Sequence, residues 1–195
     1  MNRTILPMLL LAAAALAGCE TPSTQPLASE DKRITDAALI GTWQAEDKAF
    51  YTVSPEDDHY LVVIDNRDAP NLHLWNLEMR PIQLGKYRFA DFQAAEKERR
   101  AIEERWGPFF VPTHLFVRYT VDVGAGSLKI WTLKGSWLGK QADRPRYTDF
   151  DYSPIDPGDQ RFLLTADTRD LQAFLESHAE AVDAFEVEEF KRVKP

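Results

Sequence analysis

Thr113-His114-Leu115-Phe116-Val117-Arg118-Tyr119-Thr120-Val121-Asp122-Val123 is the stretch that decides the fold of this chain. Leu115, Val117, Tyr119, Val121 and Val123 share one face of an extended backbone, while His114, Arg118, Thr120 and Asp122 fall on the other. Side chains alternate across a strand with period two, so the pattern predicts an antiparallel strand with one buried face. Gly124-Ala125-Gly126 supplies a turn, and residues 128–134 return as the partner strand. Phe116 sits on the otherwise polar face beside His114. An apolar residue there lines a cavity or docking surface, unless a helix covers that face as well.

Working outward, Leu39-Ile40-Gly41-Thr42-Trp43, Phe50-Tyr51-Thr52-Val53 and Tyr60-Leu61-Val62-Val63-Ile64 are aromatic and β-branched runs with strand character. Ser54-Pro55-Glu56-Asp57-Asp58 between the last two is turn chemistry, because Pro fixes φ and Asp tolerates tight conformations. Residues 72–79 and 86–92 form another pair, joined through Pro81 and Gly85. Two segments break the β pattern. Residues 94–105 are dense in Ala, Glu, Lys and Arg, with Glu96/Arg100 and Arg100/Glu104 four apart, which predicts an exposed, ion-paired helix ended by Gly107-Pro108. Asp167 or Thr168 caps a second helix over 168–180, in which Leu171, Phe174, Leu175 and His178 recur at helical spacing. A last strand covers 185–193. The expected fold is mainly β: an antiparallel meander closing into a small barrel or a strongly bent sheet, with a charged helix and a C-terminal helix at its margins.

The 195 residues fit one domain, and 44% hydrophobic with 28% charged residues is the composition of a folded chain. Asp and Glu number 31 against 23 Lys and Arg, so the clustered basic footprint of a nucleic-acid binder is missing. The single Cys excludes an internal disulfide and a multi-cysteine metal site. His59, His73, His114 and His178 lie far apart with no partner at i+4, so no metal is expected. The acidic loop from Asp149 to Asp159 has Pro154 and Gln160 where a calcium loop wants Gly and Glu. No nucleophile elbow and no phosphate loop occurs, and no cofactor is expected.

The N-terminus has one Arg, an uncharged run over 5–17 and small residues at its end, which reads as a secretory signal too short to span a membrane. Leu16-Ala17-Gly18-Cys19 resembles the lipobox of bacterial lipoproteins. That resemblance implies cleavage before Cys19 and acylation of its thiol and new amino terminus. Each buried methylene contributes about 0.8 kcal/mol, so several acyl chains hold a protein on a membrane durably. Residues 20–33 are rich in Thr, Pro, Ser and Gln, which is linker composition. The chain then divides into a signal over 1–18, acylated Cys19 with a flexible tether over 19–33, and one β-rich domain over 34–195. The implied location is the bacterial cell envelope, facing the periplasm, with Glu20 in place of Asp favouring the outer membrane.

Gly41-Thr42-Trp43 resembles the Gly-x-Trp signature of lipocalins, which implies that Trp43 closes a barrel base against a late basic residue such as Arg192. A wider resemblance runs through 39–43, 77–92, 111–123 with Trp137-Leu138, and 163–185 with Arg192-Val193. It is to a family of uncharacterised bacterial lipoproteins and exported proteins, and it carries no activity to transfer. The candidate binding residues are His114, Phe116, Trp75 and Trp131. They point to a non-catalytic binding or accessory role in the envelope, engaging an apolar small molecule, a lipid or a protein partner. The alternative is a hydrolase-like envelope enzyme with its site near His114 or the Asp149–Asp159 loop. A ligand barrel leaves apolar inward residues around a void, whereas a docking module fills its core and exposes an aromatic patch.

Overall fold

A computed structural model describes residues 21–46, 49–65, 75–107, 110–150 and 161–193, without the side chains of 75, 106, 149, 150 and 161. Cys19 and residues 151–159 of the acidic loop lie outside the described residues. The strands in chain order are β1 (Gly41–Gln44), β2 (Phe50–Pro55), β3 (Tyr60–Asp65), β4 (Trp75–Leu84), β5 (Tyr87–Ala94), β6 (Leu115–Asp122), β7 (Ser127–Leu133), β8 (Tyr147–Phe150), β9 (Arg161–Leu164) and β10 (Phe185–Arg192). All but β8 and β9 form a closed antiparallel barrel in the order β1-β10-β7-β6-β5-β4-β3-β2. The choice between a barrel and a bent sheet is thereby resolved: β1 pairs with both β2 and β10, which leaves no edge. β8 and β9 make a separate two-stranded ribbon.

The alternation in β6 places Val117 and Tyr119 in the cluster inside the barrel, with Trp43, Val53, Met79 and Phe190. Phe116 belongs instead to a second cluster, outside the barrel wall, with Ile82, Phe89 and residues of the C-terminal helix. The wall is therefore covered on both faces along β4–β6, which is why an apolar residue interrupts the polar side of β6. α1 (Glu96–Trp106) has no buried residue among those described, whereas α3 (Thr168–His178) buries Leu171, Phe174 and Leu175 against the outer wall. Asp167 caps α3, its carboxylate accepting from Asp170 N at 3.0 Å. A short helix, α2 (Gly135–Leu138), follows β7 and buries Trp137 and Leu138 in the same outer cluster.

Three expectations are corrected. First, residues 21–33 are no flexible tether: they run down the outside of the barrel as a strap, with Ser23 and Leu27 fully buried. Ser23 exchanges backbone hydrogen bonds with His114 at 2.9 and 2.8 Å, and the amides of Leu27 and Ala28 donate to Asp91 Oδ2 at 2.8 and 2.9 Å. The domain thus begins at residue 21 or before. Second, β4 continues through Pro81 to Leu84 and turns only at Gly85, where φ is +53°. Proline is tolerated because Pro81 lies beyond the end of β3, where its carbonyl accepts from Ile34 N and no partner strand needs a donor. Third, β6 ends at Asp122, whose carboxylate accepts from Ala125 N at 2.9 Å, and Val123 stands exposed in the turn.

Candidate functional site

The barrel has a base, plugged by specific residues, and a mouth end, where β6 begins and where the cavity described below lies. At the plugged end, a 3-10 turn over Ala37–Leu39 leads into β1 and buries Leu39 across the base. Trp43 is fully buried above it and donates from Nε1 to Leu39 O at 2.8 Å. The Arg192 guanidinium stacks 4.2 Å from the centre of the Trp43 ring and donates to Ile40 O at 2.7 Å and Ala38 O at 2.6 Å. The structure thus brings Trp43 and Arg192 together, in register across β1 and β10. A cation on an indole face, with its donors satisfied by backbone carbonyls, ties the two chain-distant strands that close the barrel. Gly41 makes this possible: its φ is +131°, and a Cβ there would lie 2.8 Å from Arg192 Nη1.

Asp36 completes the base. Its carboxylate accepts from Tyr119 Oη at 3.0 Å, Arg88 Nη1 at 2.9 Å and Ala38 N at 3.2 Å, and its own amide donates to Tyr60 Oη at 3.0 Å. Burial, reinforced by the neighbouring Asp36 charge, pushes the Tyr119 phenol far above its usual range and keeps it a neutral donor.

Above this base the interior is mostly apolar, and its packing changes along the axis. Val53, Val62, Met79, Ala90, Tyr119 and Leu128 are buried, whereas Tyr51, Ile64, Leu77, Phe92, Leu115 and Ile130, one level nearer the mouth, point inward and remain only half-buried. Around them lies a cavity of about 80 Å³. That volume falls well short of the several hundred Å³ of a site for a drug-sized molecule. Three polar residues also border the cavity: Thr132, Glu188 and Thr21. Thr21 is buried, and its Oγ1 has no hydrogen-bond partner.

Of the sequence-derived binding residues, Trp131 and His114 do not line the cavity, and Phe116 borders it. Trp131 faces outward, its ring covered by the Arg118 guanidinium at 4.3 Å. Burial lowers the Arg118 pKa, and Arg118 also donates to Ala179 O at the end of α3. Phe116 packs in the outer cluster and borders the cavity only where the strap crosses the rim. The Trp75 side chain lies outside the described residues. His114 Nδ1 contacts Asp91 Oδ1 at 2.9 Å, and the other oxygen of this buried carboxylate holds the strap amides. Asp91 and His114 therefore act as a clamp on the strap. Among the described residues, His114, Phe116 and Trp131 do not converge on one site; the converging set is the opposite, inward face of the same strands. The signal for it was present in the alternation of β6. Asp91 had none, because its partners are 63 and 64 residues away.

Among the described residues, no three His, Cys, Asp or Glu side chains group as metal ligands. No protein-family model, curated protein or solved structure matches the chain. The functional reading accordingly rests on the cavity, the base and the strap.

Proposed function

We propose that this chain is a lipid-anchored binding protein of the bacterial cell envelope, and that its barrel holds a slender apolar or amphiphilic molecule. The observation that carries this reading is the ring of inward-facing apolar side chains left half-buried around the 80 Å³ cavity. Apolar surface facing water in a preformed concavity is stabilised by an apolar occupant, at about 0.8 kcal/mol for each methylene buried. The polar groups at its border, Thr132 and Glu188, suit a molecule whose one end stays wet. The anchor at Cys19 rests on the lipobox resemblance of Leu16-Ala17-Gly18-Cys19, and the outer-membrane location on Glu20 in place of Asp after it.

The test is a fluorescence titration with an environment-sensitive fatty-acid probe. Ile130→Trp fills the mouth level without touching the base. It is expected to weaken probe binding at least about tenfold, the equivalent of 1.4 kcal/mol, while the urea midpoint stays near that of the parent. Unchanged binding by a folded I130W variant would contradict the barrel as the site. Saturable binding lost on Val111→Asp, a change on the outer rim, would favour surface docking instead.

A further inference from the structure

The strap begins at the mouth of the barrel. Ser23 pairs with His114, just before β6 starts at its mouth end, and from there the strap descends past Asp91 to the base, where Arg33 bridges Ile82. Pro22 and Thr24 are already fixed, through Pro22 O to Leu164 N at 2.8 Å and Thr24 N to Leu164 O at 2.9 Å. Thr168 Oγ1 to Pro26 O and Gln172 Nε2 to Leu27 O pin the strap to α3. Thr21, one residue further up, borders the cavity itself. Only two peptide steps then separate the cavity border from Cys19, a reach of at most about 7 Å.

We infer that the mouth end of the barrel is held against the lipid bilayer by its own anchor, so that the occupant enters from the lipid phase and not through water. This rests on the proposed function and on acylation of Cys19. A long tether lets a domain sample all orientations, but a domain fixed at Thr21 beside its mouth, two residues from its anchor, cannot turn that mouth away. The barrel is about 20 Å tall, from eight-residue strands tilted by roughly 40°, which puts the β6–β7 turn at the far side from the membrane. The rim offers the bilayer an apolar contact as well: Val111, on the loop entering β6, is 60% exposed. Thr21 Oγ1, buried without a partner beside the cavity, is placed to bond the polar end of a lipid that has its chain inside.

The experiment uses the full lipidated chain in vesicles of phosphatidylethanolamine and phosphatidylglycerol doped with spin-labelled phosphatidylcholine. Native Cys19 is blocked by its acyl chain, so Val111→Cys at the mouth or Ala125→Cys at the base gives one labelling site each. Strong quenching of a fluorophore at 111 and none at 125 is expected. A twelve-residue Gly-Ser insertion between Glu20 and Thr21 adds a mean reach of roughly 19 Å and is expected to reduce quenching at 111 to the level seen at 125. Equal quenching at both sites, quenching confined to 125, or no change on insertion would each overturn the inference. The measurement reads orientation and not occupancy. If the mouth faces the membrane and the fatty-acid probe still does not bind, the proposed function fails and the orientation stands; the reverse pair of results refutes the orientation alone.

Discussion

At Gly41 the requirement is steric and local. A methyl group there meets Arg192 Nη1 at 2.8 Å, and that guanidinium cannot easily retreat, since two carbonyls and the Trp43 ring hold it. The φ of +131° adds backbone strain for any other residue. Gly41→Ala is therefore expected to destabilise the fold by about 1–3 kcal/mol, read as a lower urea midpoint with an unchanged slope. A midpoint within error of the parent would mean that the Arg192 stack does not govern the base. At this scale the sequence was legible in part. Gly-x-Trp marked the first strand and Trp43, and the late basic partner was nameable because a barrel brings the last strand to the first. The Asp36–Tyr119–Arg88 contact was not legible, because three ordinary residues from three elements meet there and none carries a spacing rule.

Elements show a different balance. Strands and helices of strong periodicity were readable: β6, β7 and α3 follow directly from alternation or from apolar residues at helical spacing. The strap was not, because its Thr, Pro, Ser and Gln content is that of a linker and its order comes from partners far along the chain. α1 was readable from its charge pairs four apart, but what caps its start was not. Ala95 gives it no side-chain cap, and its first amide, Glu96 N, is capped from β4 by Glu78 Oε1 at 3.1 Å. Burial opposes ionisation of Glu78, but hydrogen bonds from Gln93 and Arg80 outweigh it and hold the pKa below the usual carboxylate range. The strap yields the sharper prediction. Asp91→Ala leaves the buried amides of Leu27 and Ala28 without their acceptor and removes the partner of His114. The expected cost is about 2–4 kcal/mol, accompanied by faster hydrogen exchange confined to the first part of the strap. Uniform acceleration across the barrel, or none, would show that the strap is not held independently by this carboxylate.

For the molecule as a whole, three features point the same way: a base sealed by Trp43 and Arg192, a wall covered outside by α3 and the strap, and an interior packed below with a cavity above. A barrel built only for docking has no need to leave its upper interior unfilled. On the proposed anchor at Cys19, the strap would join this architecture to location, since it puts Thr21 beside the cavity. The most direct test of the central claim is native mass spectrometry of residues 20–195, secreted without acylation and purified without detergent. The account predicts excess mass that is lost on denaturation and extracts as a single-chain or similarly slender amphiphile, reduced in the Ile130→Trp variant. A clean apo mass that stays unchanged after incubation with phospholipid vesicles would contradict it, and would turn the apolar barrel into a core that binds nothing.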